Sequence, residues 1–375
     1  MLGVSSRSEY ISSCTANAGR PILARCEVCL TELPGLRVGV IGAGRAAVAH
    51  MTALSNIPWT YLVGLHDLPG SPGTDAAARF GCRNFVSFDA LLSAADAVII
   101  ATPNNTHSVL ACEALRLRRA VLCEKPMATS VTDAERMVEH AASAGQVASV
   151  GFNYRYLPAV RTAVSAIRAG VIGEMVSVRL SLCRRSGSTH NPAAWRQSPE
   201  QGLTGGATGD LGVHLFDLLR AISGKEIVID SCGATVRSAG AAGNGRASAD
   251  TFAAVEGRLE GGAEFVAVAS KIARRATFSM RISGSTGRIE YRSTNAELRI
   301  LKMNGEVADF RMPESATSAP VAGEIHGWEH SFEMQLREWS LQVTGSATPR
   351  TLATFNDGLA AQRVLGWINS RSVVT

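Results

Sequence analysis

Asp210 and His214 stand four residues apart in the stretch GGATGDLGVHLFD (205 to 217), where apolar residues with helical spacing follow several glycines. If a helix begins near Asp210, side chains four residues apart share one face, so the carboxylate can orient the imidazole. Histidine titrates near neutral pH, and such a pair is suited to removing a proton from a hydroxyl group. Alternatively, Asp210 caps the helix and His214 is a core or surface histidine. The pattern leaves both interpretations open.

Lys125 lies in the segment CEKP (123 to 126), directly after the apolar run AVLC. A lysine at the rim of a buried sheet loses hydration, which suits its amine to proton transfer or to stabilising a developing negative charge. Taken alone, a lysine at a strand end is more often an ordinary surface residue. Its place after the fourth predicted strand of an alternating β/α fold favours the active-site interpretation, with Glu124 beside it at the same edge.

The segment VGVIGAGRAAVAH places Gly42, Gly44 and Ala47 as G-x-G-x-x-A after a strand-like run and at the start of a predicted helix. In such a turn the first glycine permits a tight bend, and the second lets backbone amides approach a pyrophosphate. The amino-terminal end of the helix, with Arg45 and Ala46 in its first turn, then faces the anion. The segment therefore predicts a dinucleotide cofactor.

Asp67 ends the next strand-like run, about 20 residues beyond this fingerprint, where a carboxylate accepts hydrogen bonds from ribose hydroxyls. A carboxylate at this point would repel a 2′-phosphate, so the sequence favours NAD over NADP. The alternative is that Asp67 is an ordinary turn residue before Pro69 and Gly70.

The segment ATPNNTH (101 to 107) closes a further apolar strand at the edge of the sheet where ligands of doubly wound folds bind. Thr106 can also cap the helix that follows. The cofactor contacts predicted at this edge are Thr102, Pro103, Asn104, His107, Glu124 and Lys125.

The elements that must position these residues change character near Phe152. Before it, uniformly apolar strand-like runs alternate with helical patterns, which predicts a doubly wound parallel sheet of the Rossmann type. After it, period-two strands follow one another, which predicts a mostly antiparallel sheet. The expected division is a disordered extension at 1–35, a dinucleotide-binding domain at 36–152, a substrate-binding and oligomerisation domain at 153–328, and C-terminal helices at 329–375.

The composition favours a two-domain globular protein, with 375 residues, 46% hydrophobic and 18% charged. No apolar run approaches the roughly 20 residues that span a bilayer, so we expect no membrane segment. The net charge of +5 comes from scattered arginines without a basic stripe, which argues against nucleic-acid binding. Of the eight cysteines, Cys26 and Cys29 form one CxxC and the other six are dispersed. With no second Cys or His pair at zinc-finger spacing and no secretion signal, we expect reduced thiols in the cytoplasm and no metal site.

Five motifs in order, GAGRAAVAH, TPNNTH, CEKPM, VGFNYRY and GGATGDLGVHLFDLL, together resemble the glucose-fructose oxidoreductase, inositol dehydrogenase and rhizopine-catabolism family (Gfo/Idh/MocA). The resemblance runs from about Leu36 to the C-terminus. It implies a Rossmann domain joined to an open-faced sheet domain, with C-terminal helices that fold back on the Rossmann domain. It also implies a homodimer or homotetramer, for which the open sheet face is a suitable interface.

The same resemblance assigns roles to individual residues. It implies that Lys125, Asp210 and His214 line a sugar or cyclitol site beside the nicotinamide. It places Asn153 near the nicotinamide, Arg155 at the substrate, and Trp195 with Arg196 at the cofactor. The chain departs from the family pattern in two ways. Typical short members lack the 35-residue extension, and many have a glycine where GRAA has alanine.

The expected reaction is a reversible hydride transfer between C4 of the nicotinamide and a secondary carbinol carbon of a sugar, cyclitol or nucleotide sugar. His214 would take the hydroxyl proton, Asp210 would orient His214, and Lys125 would stabilise the charge on the oxygen. One alternative is an NAD-dependent glycosidase that acts by transient oxidation and elimination. Another is a non-catalytic dinucleotide sensor, whose expected mark is the loss of the lysine or histidine.

Overall fold

The computed structural model describes residues 35–185, 204–238, 249–306, 324–347 and 351–371. The predicted disordered extension falls almost entirely outside these ranges. Trp195 and Arg196, predicted to contact the cofactor, also lie outside them.

The first domain is a parallel sheet covered by helices. Among the described residues, six strands pair in the order β3-β2-β1-β4-β5-β6, and every pair is parallel. The strands are β1 Leu36–Ile41, β2 Thr60–His66, β3 Arg83–Asn84, β4 Ala97–Ile100, β5 Ala120–Cys123 and β6 Ala148–Val150. The helices are α1 Arg45–Ser55, α2 Gly73–Phe80, α3 Phe88–Ala94, α4 Asn104–Arg116 and α5 Val131–Ala144. Every residue of β4 and β5 is buried, as expected for a sheet with helices on both faces.

The second domain begins with a short 3₁₀ turn, Asn153–Tyr156, and its seven described strands form one sheet in the order β13-β12-β11-β7-β10-β9-β8. Only the β10–β7 pair is parallel among these described strands. The elements are α6 Pro158–Arg168, β7 Met175–Arg185, α7 Val213–Ser223, β8 Ile227–Ser238, β9 Asp250–Leu259, β10 Glu264–Ser270, β11 Ile272–Gly284, β12 Gly287–Arg292 and β13 Glu297–Lys302. Buried and more exposed positions alternate along β10 and β12, so one face of the sheet is packed.

The two C-terminal helices, α8 Trp328–Val343 and α9 Phe355–Arg371, contact the first domain. Phe332, Leu336 and Trp339 of α8 share a core cluster with residues of β1 and α1. The indole of Trp59 also donates to Ser340 Oγ at 2.9 Å. The predicted fold class, a parallel Rossmann sheet followed by a mostly antiparallel sheet, is confirmed.

Two elements of the first domain are not predicted by the sequence pattern. Strand β3 has two residues and α3 has seven, and both are too short to show a clear period. Within the described ranges, no helix has the length and apolar character needed to cross a membrane.

Candidate active site

The candidate active site lies where the carboxyl edge of the six-stranded sheet meets the start of α7. Lys125 follows β5 closely, and its Nζ donates to both the backbone carbonyl and Oδ1 of Asp210, each at 2.8 Å. The two side chains are largely buried, with 15% and 21% of their surfaces exposed. The structure therefore brings the predicted lysine and aspartate together across two domains.

Asp210 lies in a π-helical turn, Thr208–Gly212, that leads directly into α7. The backbone N–H of Val213 donates to the carbonyl of Thr208, five residues back, as in a π turn. A helical segment does begin near Asp210, at Thr208, but its first turn is a π turn that contains Asp210. The α-helical spacing that placed Asp210 and His214 on one face does not apply inside this wider turn. Single π turns are frequent at functional sites.

His214 is buried beside the contact between Lys125 and Asp210. Its ring lies against that of Tyr154, and its Nδ1 has no hydrogen-bond partner among the described residues. Burial lowers the pKa of His214 well below its ordinary value, and the charge of Lys125 lowers it further, while Asp210 acts in the opposite direction. The imidazole is consequently neutral at neutral pH and can accept a proton.

Tyr154 is a site residue that the sequence reasoning missed, although its neighbours on either side were selected. Its hydroxyl is buried, and its proton has no acceptor among the described residues, although the guanidinium of Arg184 interacts with the phenolic oxygen. Burial raises the pKa of Tyr154 to about 12, against the opposing charge of Arg184. The hydroxyl therefore stays protonated and can donate to a bound molecule.

Asn153 and Arg155, on either side of Tyr154, make contacts within the protein. Asn153 Nδ2 donates to Ser331 Oγ in α8 at 2.8 Å. The buried guanidinium of Arg155 makes two hydrogen bonds to Asp217, of 2.8 and 2.5 Å, and lies 3.1 Å from Asp357. This geometry favours a structural role for Arg155, and the substrate contact implied by the resemblance stays a prediction.

The turn between β1 and α1 has the shape that a dinucleotide needs. Gly42 has φ +98°, and a Cβ there would lie 2.5 Å from the carbonyl oxygen of Ala101, so only glycine fits. A Cβ on Gly44 would meet nothing within 4 Å, which leaves open space beside the turn. The first turn of α1 has no side-chain cap and no acidic residue. These features fit a diphosphate bound at the helix N-terminus.

Arg45 begins α1 and Asp67 follows β2, so both lie at the carboxyl edge of the sheet. The guanidinium of Arg45 forms an ion pair with Glu324 and lies 5.1 Å from the ring centroid of Trp328 at the start of α8. Ala46 follows Arg45 in the first turn of α1 and is partly buried. Asp67 comes directly after β2, where one carboxylate oxygen accepts from the backbone N–H of Leu68 at 2.8 Å.

The residues predicted between β4 and α4 divide into two kinds. Thr102 and Pro103 are partly exposed at the carboxyl edge, where a cofactor could contact them. Asn104 and His107 are buried, and Asn104 Nδ2 donates to the carbonyl of Thr204 at 3.3 Å. The His107 ring lies between the carbonyls of Pro126 and Thr102, at 2.9 and 3.0 Å. Asn104 and His107 thus support the edge through contacts within the protein.

Glu124 is held by a histidine that the sequence reasoning did not select. His50, within α1, is fully buried and its Nε2 lies 2.8 Å from Glu124 Oε1. Burial alone would raise the pKa of Glu124, but the hydrogen bond with His50 and the charge of Lys125 lower it on balance. The second oxygen of Glu124 accepts from the backbone N–H of Lys125 at 3.2 Å. Helix α1 is therefore connected to the backbone of Lys125 through His50 and Glu124.

A second lysine, Lys271, also reaches Asp210. Its Nζ lies 3.1 Å from Asp210 Oδ2 and donates to the carbonyl of Gly205 at 3.1 Å. The two oxygens of this carboxylate therefore face ammonium groups from different parts of the chain. Lys271 was not among the predicted site residues.

Within the described ranges, no group of three or more His, Cys, Asp or Glu side chains could hold a metal ion. The cysteines in the same ranges are free thiols, namely Cys82, Cys112, Cys123, Cys183 and Cys232. The side chains gathered at the candidate site are two lysines, a carboxylate, an imidazole and a phenol.

Both domains of the chain are similar to known protein families. A family model described as an oxidoreductase family with an NAD-binding Rossmann fold matches residues 36–152. A second model, described as the GFO/IDH/MocA C-terminal domain, matches residues 160–290. Both domains of the chain are thus matched separately.

Individual relatives agree with the family models. Glucose-6-phosphate 3-dehydrogenase of Bacillus subtilis is 30% identical over 332 residues, which cover 88% of this chain and 94% of that protein. Levoglucosan dehydrogenase of Pseudarthrobacter phenanthrenivorans is 30% identical over 210 residues, only 52% of each protein. The crystal structure of an oxidoreductase domain protein from Kribbella flavida matches with a TM-score of 0.78 and 26% identity, covering 91% of this chain and 98% of that one.

Proposed function

The chain belongs to the GFO/IDH/MocA oxidoreductase family, and on this basis we propose that it is an NAD-dependent dehydrogenase of a sugar, cyclitol or nucleotide sugar. The observation that carries the proposal is the 2.8 Å contact between Lys125 Nζ and Asp210 Oδ1, beside the buried imidazole of His214. Two relatives are named as dehydrogenases, of glucose 6-phosphate and of levoglucosan, which supports a sugar as the substrate.

Lys125 is proposed to bind the carbinol oxygen. An ammonium group has three N–H donors, and two of those on Lys125 are used by the carbonyl and carboxylate of Asp210. The third is left for a substrate oxygen, whose developing negative charge the ammonium stabilises. Asp210, expected from the sequence to orient His214, is proposed instead to act mainly by fixing the position of Lys125.

His214 is proposed to accept the hydroxyl proton when the alcohol is oxidised, and to return it in the reverse reaction. The neutral state that follows from its burial suits this role. The ring of Tyr154 orients the imidazole, and the hydroxyl of Tyr154 is placed to donate to a second substrate oxygen. When bound, NAD supplies the acceptor for the hydride that leaves the carbinol carbon.

The cofactor is proposed to lie along the carboxyl edge of the first sheet. Its diphosphate would approach Gly44 and the first turn of α1, with Arg45 close by. Asp67 would accept from the adenosine ribose, which is the reason to prefer NAD over NADP. The contacts to Thr102, Pro103 and the other predicted cofactor residues, including Asn153, Trp195 and Arg196, belong to this proposal. A homodimer or homotetramer in the cytoplasm also remains part of it.

The test is to follow NADH formation with NAD or NADP and a panel of glucose 6-phosphate, levoglucosan, myo-inositol and UDP-N-acetylglucosamine. We expect oxidation of at least one compound, with NAD preferred. Lys125→Ala should reduce turnover by about two to four orders of magnitude. The matched control is Lys225→Ala, at an exposed lysine just before β8, which should leave turnover unchanged.

Two results would favour the alternative functions, a glycosidase or a dinucleotide sensor. Cleavage of a glycoside without net NADH formation would favour the oxidation–elimination glycosidase. Binding of NAD without turnover of any compound would favour a dinucleotide sensor. Either result would overturn the dehydrogenase proposal.

A further inference from the structure

Asp210 lies between two lysines, and the second one has no role in the reaction described so far. We propose that Lys271 is a positioning residue, which holds the Asp210 carboxylate in the orientation that fixes Lys125 at the substrate oxygen. This inference rests on the proposed dehydrogenase function.

The side chain of Lys271 is built into the site. Lys271 joins β10 to β11, and its backbone N–H donates to the carbonyl of Thr251 at 2.8 Å. Only 11% of its side chain is exposed, whereas the next residue, Ile272, is 62% exposed. Lys271 is a bend residue between the two strands, and its contacts with Asp210 and Gly205 show that its side chain points into the site. A largely buried ammonium is costly unless it is paired, and its partners are Asp210 and the carbonyl of Gly205.

Each oxygen of the Asp210 carboxylate contacts the ammonium group of a different lysine. Lys271 lies at Oδ2, and Lys125 takes Oδ1. A carboxylate that faces a cation at each oxygen cannot rotate without losing one of these contacts. Loss of Lys271 would free this rotation, and Lys125 would lose the fixed partner that directs its third N–H.

Lys271 could instead have a purely structural role, because a second carboxylate, that of Asp250, also lies close to it. Asp250 accepts hydrogen bonds from the backbone N–H and the hydroxyl of Thr208, which starts the π turn. The charge of Lys271 also acts on Asp250, so the lysine could serve only to balance that buried carboxylate. In that case its effect on turnover would not depend on Asp210.

A double-mutant cycle separates the two roles. Lys271→Met and Lys271→Arg are made in the wild-type and Asp210→Asn proteins, with Lys225→Met as the matched exposed-lysine control. In the wild-type background Lys271→Met should lower kcat about 10- to 100-fold, as expected for a small misplacement of a reacting group. KM and the Kd for NAD should change less than about threefold, and Lys271→Arg should restore most of kcat. In the Asp210→Asn background the further loss should be less than about threefold.

Equal losses in both backgrounds, or no loss in the wild type, would overturn the positioning role. A crystal structure of Lys271→Met gives a second measurement that needs no substrate. We expect a rotated Asp210 carboxylate and a changed Lys125 contact, and unchanged positions of both side chains would contradict the proposal. If none of the sugars is oxidised by the wild-type protein, the dehydrogenase function fails, while the crystal structure still decides whether Lys271 orients Asp210.

Discussion

The imidazole of His214 stacks on the phenol ring of Tyr154, with ring centroids 4.3 Å apart and planes inclined by 37°. This contact joins the turn after β6 to the first turn of α7. Because Nδ1 of His214 has no hydrogen-bond partner in the described part of the chain, aromatic packing sets the orientation of the ring. The position of the proposed base therefore depends on a tyrosine from the neighbouring segment.

Tyr154→Phe separates the ring of this residue from its hydroxyl. Phenylalanine keeps the stack on His214, so the melting temperature should stay close to that of the wild type. If the hydroxyl donates to substrate, KM should rise about tenfold, because one lost hydrogen bond contributes about 1 to 1.5 kcal/mol. Tyr61→Phe, at a tyrosine that is 63% exposed, is the control. An unchanged KM in Tyr154→Phe would show that the hydroxyl does not contact the substrate.

The pH dependence of alcohol oxidation should report the burial of His214. The neutral imidazole is the proton acceptor, so activity is lost as the pH falls through the pKa of this group. Burial lowers that pKa below its ordinary value of 6.5, and the acidic limb of the kcat/KM profile should therefore lie below pH 6.5. His214→Asn should abolish this limb and leave a slow residual rate. A limb above pH 6.5, or one that persists in the variant, would assign it to another group.

Gly42 and Gly44, in the turn between β1 and α1, should respond differently to replacement by alanine. Gly44→Ala adds a methyl group to open space at an ordinary φ, so the protein should remain as stable as the wild type. Its affinity for NAD, measured by calorimetry, should fall at least about tenfold, or about 1.4 kcal/mol, because the diphosphate needs that space. Unchanged affinity would place the diphosphate elsewhere.

Gly42→Ala should instead damage the fold of the first domain. A side chain at φ +98° costs about 1 to 3 kcal/mol, and its Cβ would lie 2.5 Å from a backbone oxygen that cannot easily move. We expect a lower melting temperature together with weaker NAD binding. A Gly42→Ala protein of wild-type stability would contradict this reading of the turn.

Replacement of Asp67 should weaken the preference for NAD. The carboxylate follows β2 at the edge where the ribose is proposed to lie, and it repels a 2′-phosphate. Asp67→Ser should lower kcat/KM with NAD and raise it with NADP, changing their ratio at least about tenfold, or about 1.4 kcal/mol. The control is Asp75→Asn, at an exposed acidic residue in the first turn of α2. If Asp67→Ser, like Asp75→Asn, keeps the wild-type ratio of kcat/KM with NAD to kcat/KM with NADP, Asp67 is only a turn residue.

The sequence predicted the part of the site that depends on the first sheet. Parallel strands end at one common edge, so segments that follow such strands must meet there, as those of Gly42, Thr102 and Lys125 do. The fingerprint VGVIGAGRAAVAH and the apolar runs AVIIA and AVLC suffice to place these residues, because all three patterns are local.

The residues that were missed depend on contacts between distant segments. Lys271 follows a period-two strand, and nothing in that period shows that the end of the strand lies beside the π turn. Tyr154 lies in a 3₁₀ turn, where adjacent residues point in different directions that depend on the packing around them. His50 occupies an ordinary helical position, and its role emerges only from its contact with Glu124.

Arg155 gives the clearest contrast between the role implied by resemblance and the role favoured by geometry. Arg155→Met removes the partner of buried Asp217, and we expect the free energy of unfolding in urea to fall by about 3 to 5 kcal/mol. Arg363→Met, which breaks an exposed pair with Glu135, should cost about 1 kcal/mol or less. KM of the folded Arg155→Met protein should be unchanged. A stable variant with a strongly raised KM would instead place Arg155 at the substrate.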